Sequence, residues 1–200
     1  DRMNYVSPMA NNIAWHHACE ALFGLDLTPR CKVIRTIIAE LARIQDHLLC
    51  VGCAGLDLGG FTAFMYPFNA RETIYDLFEE ICGARFTTSY TRVGGLMQDI
   101  TPQWPAKVKR FCAQVLPPAV ADLEKLLTRN RIFIERTKGI GYLSHDDAIS
   151  WGWTGPLARA SGVRRDLRKD EPYLCYADNW DGKGSSAVQF KVPISDGGDC

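Results

Sequence analysis

Three groups in this sequence could do chemistry. The stretch Asp1-Arg2-Met3-Asn4-Tyr5 sets a carboxylate, a guanidinium and a phenol just ahead of a helix start at Ser7-Pro8. A phenol both donates and accepts hydrogen bonds, and it can give up a proton as charge grows on a partner oxygen. The second group is Asp57, in Leu56-Asp57-Leu58-Gly59-Gly60. A carboxylate straight after an apolar helical run is costly to bury unless paired, and paired glycines permit close backbone approach to a neighbour or a ligand. The third is Cys50-Val51-Gly52-Cys53. Each group has an ordinary reading beside the chemical one. Tyr5 could mark a solvated helix entrance with Asp1 and Arg2 paired in water, and Asp57 could cap a turn. The cysteine pair fits core packing better than metal, because a closed tetrahedral site needs four ligands and the chain has no second C-x-x-C.

The remaining candidates are weaker. His16 and His17 are adjacent and so point to different faces of a helix, while His47 and His145 are solitary. The chain has no G-x-S-x-G, no phosphate-binding loop and no G-x-G-x-x-G. Lysine plus arginine and aspartate plus glutamate both number 23, for zero net charge. That balance argues against a nucleic-acid binder, which needs a basic excess, and gives no electrostatic reason to sit on anionic lipid. The eight cysteines lie mostly in apolar helical patterns, which points to a reducing compartment rather than a disulfide framework. The longest apolar run, residues 48–56, falls well short of the ~20 residues that a membrane span needs.

The elements that must position these groups are mostly helices. Ser7 and Pro8 start the first, with Met9, Ile13, Ala18 or Cys19, and Leu22 near one face and Gly24 as its stop. Thr28-Pro29 starts a long central helix with apolar positions at Val33, Ile37, Ile38, Leu41, Ile44, Leu48 and Val51. Residues 57–68 break the pattern, and a helix follows from Asn69 to Gly83. Residues 84–95 are β-branched and aromatic and end in Gly94-Gly95, as a strand or hairpin arm does. Residues 101–130 predict a long helix kinked near Pro117-Pro118, and residues 131–152 predict two short helices. From Trp153 onward helical periodicity is lost, and residues 190–194 read as strand-like. The class is mainly α: a bundle of long helices with short β pieces, in a single helical domain over residues 1–200. The missing initiator Met and the stop just after a strand-like run suggest the central part of a longer chain.

Several long stretches together carry a family resemblance. DRMNYVSPMANN, IRTIIAELARIQDHLL, LDLGGFTAFMYPFNARETIYDLFEEICGAR, YTRVGG, LLTRNRIFIERTKGIG and GPLARASGVRRDLRKDEPY resemble the D-type, hydrogenase-like quinone-site subunit of the NADH-quinone oxidoreductase of respiratory complex I. The resemblance runs along nearly the whole chain and implies a fold like that of nickel–iron hydrogenase large subunits. It implies a quinone-binding subunit of a proton-translocating NADH:quinone oxidoreductase, inactive alone, lining the quinone headgroup site beside the terminal iron–sulfur cluster. Tyr5 is then the quinone ligand. Asp57 partners a histidine from a missing N-terminal β region, and Arg2 lies near the cluster. Arg92 and Arg159 are expected on the cluster side or at a partner contact. Met97 stands where many members carry a histidine shortly after the paired glycines, and methionine cannot titrate. NADH and the clusters belong to partner subunits: a cluster-carrying subunit and a membrane quinone-channel subunit. The chain itself binds no metal and no nucleic acid and has no membrane span. It sits peripherally on the cytoplasmic side of the bacterial inner membrane, or the matrix side in mitochondria. Two other readings stand beside this one: the large subunit of a related hydrogenase-like membrane complex, and a non-catalytic scaffold subunit.

Overall fold

Helix makes up 63% of the described residues, well above the roughly 30–35% of ordinary globular domains. The computed structural model describes residues 3–177 and 188–198. The chain forms two compact units, Asp1–Asn130 and Arg131–Cys200.

In the first unit, α1 (Pro8–Phe23) opens with Pro8 at its first position and closes on Gly24 in the left-handed conformation. Ser7 stands at the N-cap, but its hydroxyl makes no capping bond; it is engaged by Asn4 and Asp46 instead. The buried residues are Pro8, Met9, Ile13 and Glu20. Leu22, expected on the buried face, is 83% exposed. A charged residue takes the inner position because Arg35 reaches it from the next helix. That helix, α2 (Pro29–Asp57), is capped by the Thr28 hydroxyl, which accepts from the Cys31 N–H at 3.3 Å. Its buried stripe includes Ile34, Ile38, Leu41, Leu48, Gly52 and Gly55, whereas Val51 is exposed.

The two small residues near the end of α2 let the next helix fold back tightly. A Cβ on Gly52 would stand 3.3 Å from Pro67 Cγ, and one on Gly55 would stand 3.0 Å from Leu127 Cδ2 and 3.1 Å from Ala63 Cβ. This contact explains why α3 (Phe61–Cys82) begins at Phe61 rather than at Asn69, and why it holds Pro67 in its interior. The proline removes one backbone hydrogen bond, but its buried ring fills the space that Gly52 leaves.

The expected hairpin is present and short. β1 (Thr91–Arg92) and β2 (Gly95–Leu96) pair antiparallel, Thr91 with Leu96 and Arg92 with Gly95. A buried ion pair pins it to the helices. Arg35 donates to Glu20 through Nη1 and Nη2 at 2.8 and 2.7 Å, and Nη2 also donates to the carbonyls of Arg92 and Gly95. Glu20 in turn accepts from the Gly94 N–H at 2.8 Å. The long prolyl helix, expected to kink near Pro117-Pro118, is broken by π-helical turns. α4 (Trp104–Arg110) widens into a π-helical turn over Phe111–Val115, resumes as α5 (Leu116–Leu123), and widens again over Glu124–Thr128. Pro117 and Pro118 have no N–H to give the Ala113 and Gln114 carbonyls an α-helical bond, and the helix widens in the turn just ahead of them, where the Leu116 N–H bonds the Phe111 carbonyl.

In the second unit, α6 (Arg131–Thr137) and α7 (His145–Ser150) are the two expected short helices. Beyond Trp153 the structure corrects the reading: α8 (Gly155–Ala160), α9 (Leu167–Asp170) and a 3₁₀ turn at Leu174–Tyr176 follow. Elements this short cannot display a 3.6-residue period. Residues 190–194 form no strand, and Pro193 there lacks a ladder donor. Hydrogen bonding from Arg168 outweighs partial burial and lowers the Asp166 carboxyl to about 2.

Candidate site at the N-terminal turn and the central helix

The turn before α1 is built by Asn4. Its Nδ2 donates to Asp46 Oδ2 at 2.6 Å and to Ser7 Oγ at 2.9 Å, while its Oδ1 accepts from the Val6 N–H at 3.2 Å. Asn11 closes the turn by donating to the Asn4 carbonyl at 2.6 Å. With its neighbour fixed on both sides, Tyr5 has little freedom to move away from α2. Its ring packs edge-on against Phe86, with centroids 5.8 Å apart, and Phe86 packs likewise on Tyr75 at 6.1 Å. The residue is nonetheless 61% exposed, and its hydroxyl has no hydrogen-bond partner among the described residues. The phenol is therefore held at its root and open at its reactive end.

Beneath it lie two polar side chains that the sequence reading missed. Arg71 is 2% exposed and Gln45 is 1% exposed. The guanidinium of Arg71 stacks over Phe68 at 4.7 Å and over Tyr75 at 5.3 Å, yet its Nε and Nη2 have no hydrogen-bond partner among the described residues. Burial lowers its proton affinity, and Tyr75, Asp46, Cys53 and Tyr5 oppose that effect. Burial raises the Tyr75 phenol, against the pull of Arg71. Gln45 lies near enough to bias that titration, although neither of its polar atoms makes a bond of proper geometry. A signal for both residues was present in the sequence. Gln45 falls in the stripe of Ile38, Leu41 and Leu48, and Arg71 falls in that of Pro67, Ile74 and Phe78. A polar residue on an apolar stripe is the informative exception.

Asp57 ends α2 and is exposed, with no hydrogen bond or ion pair among the described residues. On an α-helix, residues 46, 50, 53 and 57 fall on one stripe. Asp57 thus shares the face of α2 that Asn4 grips at Asp46, about 16 Å further along the axis. Cys50 is exposed and Cys53 half-buried. The core-packing reading of this pair fails at Cys50, because the buried stripe passes through Leu48, Gly52 and Gly55 instead. The seven described cysteines are free, and no cluster of His, Cys, Asp or Glu among the described residues could hold a metal ion.

Arg2 lies outside the described residues. Arg92 is exposed, with Nη1 donating to Ser89 Oγ and to the Thr91 carbonyl. Arg159 is turned into its own unit, 4.0 Å from Asp166 and donating to the Arg165 carbonyl. His16 Nδ1 lies 2.8 Å from Thr91 Oγ1, so it helps tie α1 to the hairpin. A cavity of about 390 Å³ lined by Leu77, Glu80, Lys107 and Phe111 does not include Tyr5 or Asp57. No described helix is long and apolar enough to cross a membrane.

Residues 57–200 match the family described as the 49 kDa subunit of respiratory-chain NADH dehydrogenase. The chain belongs to that family. It is 49% identical to an NADH-quinone oxidoreductase D-type subunit of Opitutus terrae over 200 residues, covering 100% of this chain and 45% of the relative. It is 48% identical to the D-type subunit of the same enzyme from Methylacidiphilum infernorum, again over the whole chain and 46% of the relative. To the counterpart from Leptospira biflexa it is 44% identical over 198 residues, 46% of that relative. This member of the 49 kDa family thus spans somewhat under half the length of the curated relatives it matches. The segment holding Tyr5 lies ahead of the family match but within the stretch shared with these relatives.

Proposed function

We propose that this chain is the quinone-binding part of a proton-translocating NADH:quinone oxidoreductase, with Tyr5 as the headgroup ligand. The observation that carries the reading is the state of Tyr5: clamped through Asn4 and Phe86, yet 61% exposed, with no hydrogen-bond partner for its hydroxyl among the described residues. A phenol so placed can donate to a quinone oxygen and follow it through reduction, strengthening the bond as negative charge grows. Asp57 serves the same site by orienting and charging a proton donor supplied from outside residues 1–200. Arg2 lies toward the terminal iron–sulfur cluster, where a fixed positive charge favours the reduced states.

The clusters and NADH are carried by partner subunits, one bearing the terminal cluster and one forming the membrane channel for quinone. The chain is then the central part of a longer subunit with a fold like that of nickel–iron hydrogenase large subunits. It sits peripherally on the cytoplasmic or matrix side of the membrane and is inactive alone.

The test is Tyr5→Phe in the complete enzyme. Only a hydroxyl is lost, so assembly and NADH oxidation by artificial acceptors stay at native levels. Losing a hydrogen bond to a charge-bearing oxygen costs roughly 1.5–3 kcal/mol, so quinone reduction falls about tenfold to hundredfold. Equal retention of both activities would end the assignment.

A further inference from the structure

Two arginines in the first unit are buried to the same depth and used differently. Arg35 is fully buried and spends both Nη groups on the Glu20 carboxylate. Arg71 is 2% exposed, and no carboxylate pairs with it among the described residues. Its neighbour in sequence, Glu72, faces outward and binds Arg85 instead. The half-buried Asp46 is taken by Asn4 and Ser7. Nε and Nη2 form the edge of a guanidinium that grips an oxyanion at two points, and that edge is unpaired here. A buried cation without a bonded anion is a costly arrangement. It leaves a positive charge in a low-dielectric setting, where a charge acts over longer range than it does in water.

The groups facing Arg71 define where that charge is felt. Asp46 and Cys53 face it from α2, Phe68 and Tyr75 from α3, and Tyr5 from the N-terminal turn. Arg85 stands over Tyr75 as well, at 5.7 Å from the ring centroid. Tyr75, Phe86 and Tyr5 form a continuous run of edge-to-face rings from the guanidinium to the exposed phenol. The run is apolar apart from its hydroxyls, so it screens the charge poorly. Asp46, gripped by the residue next to Tyr5, would by itself repel negative charge arriving at that hydroxyl.

We propose that Arg71 is the electrostatic counterweight of the Tyr5 site, cancelling the Asp46 carboxylate and favouring an oxygen that gains negative charge beside the Tyr5 hydroxyl. The proposal rests on the quinone reading and deepens it, because the oxygen in question is that of a quinone headgroup undergoing reduction. Arg71 does not touch the headgroup. It acts through space, and its contribution is larger for the reduced, charged state than for the neutral one.

The experiment compares Arg71→Met, Arg71→Lys and the double variant Arg71→Met/Asp46→Asn in the complete enzyme. Arg71→Met lowers kcat for quinone about tenfold, the effect of one unit charge roughly 10 Å away at an effective dielectric near 20. The KM for quinone stays within about twofold, and the artificial-acceptor rate stays native, because the interaction matters most as charge develops. Arg71→Lys restores most of the rate, and removing the Asp46 charge from the Met variant restores part of it. The proposal is overturned if Arg71→Met lowers both activities equally, if it lowers neither, or if Lys is no better than Met. Should the Met variant fail to assemble, Arg71→Gln carries the same comparison. Failure of both neutral variants to assemble also overturns it, because the charge is then structural. Tyr5→Phe separates the two levels: native quinone reduction in that variant removes the underlying reading. A loss there, with native rates in Arg71→Met, removes this inference alone.

Discussion

Asn4 donates to Asp46 at 2.6 Å across 42 positions of sequence, and this one bond fixes the N-terminal turn against the middle of the central helix. Asp46 also accepts from Ser7 at 3.4 Å. Replacing Asp46 with alanine leaves a half-buried donor, Asn4, and a buried one, Ser7, without this acceptor, at a cost of about 1–3 kcal/mol. The loss is local, so hydrogen exchange at residues 4–11 in the complete enzyme should speed up by roughly tenfold to hundredfold. Exchange unchanged at those residues would show that Tyr5 is held by something other than Asn4.

The Glu20–Arg35 pair is the corresponding clamp on the hairpin. Glu20→Gln keeps the size and removes the charge, leaving a buried guanidinium uncompensated. Breaking one side of a buried pair costs about 3–5 kcal/mol. Burial alone would raise the Glu20 carboxyl, but hydrogen bonds from Arg35 and the Gly94 N–H outweigh it and hold it below the ordinary carboxylate range. The sign follows: the folded state holds its proton less tightly than the unfolded one. The pair's stabilisation is complete above the unfolded pKa near 4.5 and is lost as pH falls through the lower folded value. His16, lowered mainly by burial and by Arg35, adds a loss in the same direction beginning below its ordinary 6.5. Thermal stability should therefore fall on acidification in the native protein. The fall below pH 4.5 should be shallower in Glu20→Gln, with the contribution of Asp166 and other lowered carboxylates remaining. A variant with an unchanged acid limb would refute the linkage.

The long elements were legible because burial and period coincide in them. α2 shows its apolar stripe over eight turns, and Thr28-Pro29 announces its start. What escaped the sequence were positions where packing overrides the local signal. Residues 57–68 looked like a break in the helices, and only the space above Gly52 shows why α3 runs through Pro67. Leu22 looked buried, but Glu20 has the inner place because Arg35 waits there. At the site, Tyr5 and Asp57 stood out by type and setting. Asn4 and Asp46 did not, because their roles arise from contacts across dozens of residues, and Arg71 showed only as a charge on the apolar stripe of α3. The residues of α8 and α9 could not be read as helices, since four to six residues carry no period.

Asp57 gives the sharpest separation of structural from chemical roles. It is exposed at the end of α2 and makes no hydrogen bond or ion pair among the described residues. The turn beyond it is held by backbone bonds, Leu58 N–H to the Ala54 carbonyl and Gly60 N–H to the Gly55 carbonyl at 2.7 Å, which need no carboxylate. Asp57→Asn should then change stability by no more than about 0.5 kcal/mol, as exposed substitutions do. If the carboxylate orients a proton donor that meets the headgroup from outside residues 1–200, the amide cannot replace it. It accepts through only one oxygen and carries no charge to stabilise the donor's protonated form. Loss of such an orienting partner typically costs ten- to a hundredfold in activity. The expected result in the complete enzyme is native assembly and native artificial-acceptor rates, with quinone reduction lowered by about that factor. Asp57→Glu should recover part of it, because the charge returns on a longer arm. Native quinone reduction in Asp57→Asn would return this residue to the role of a turn at a helix end.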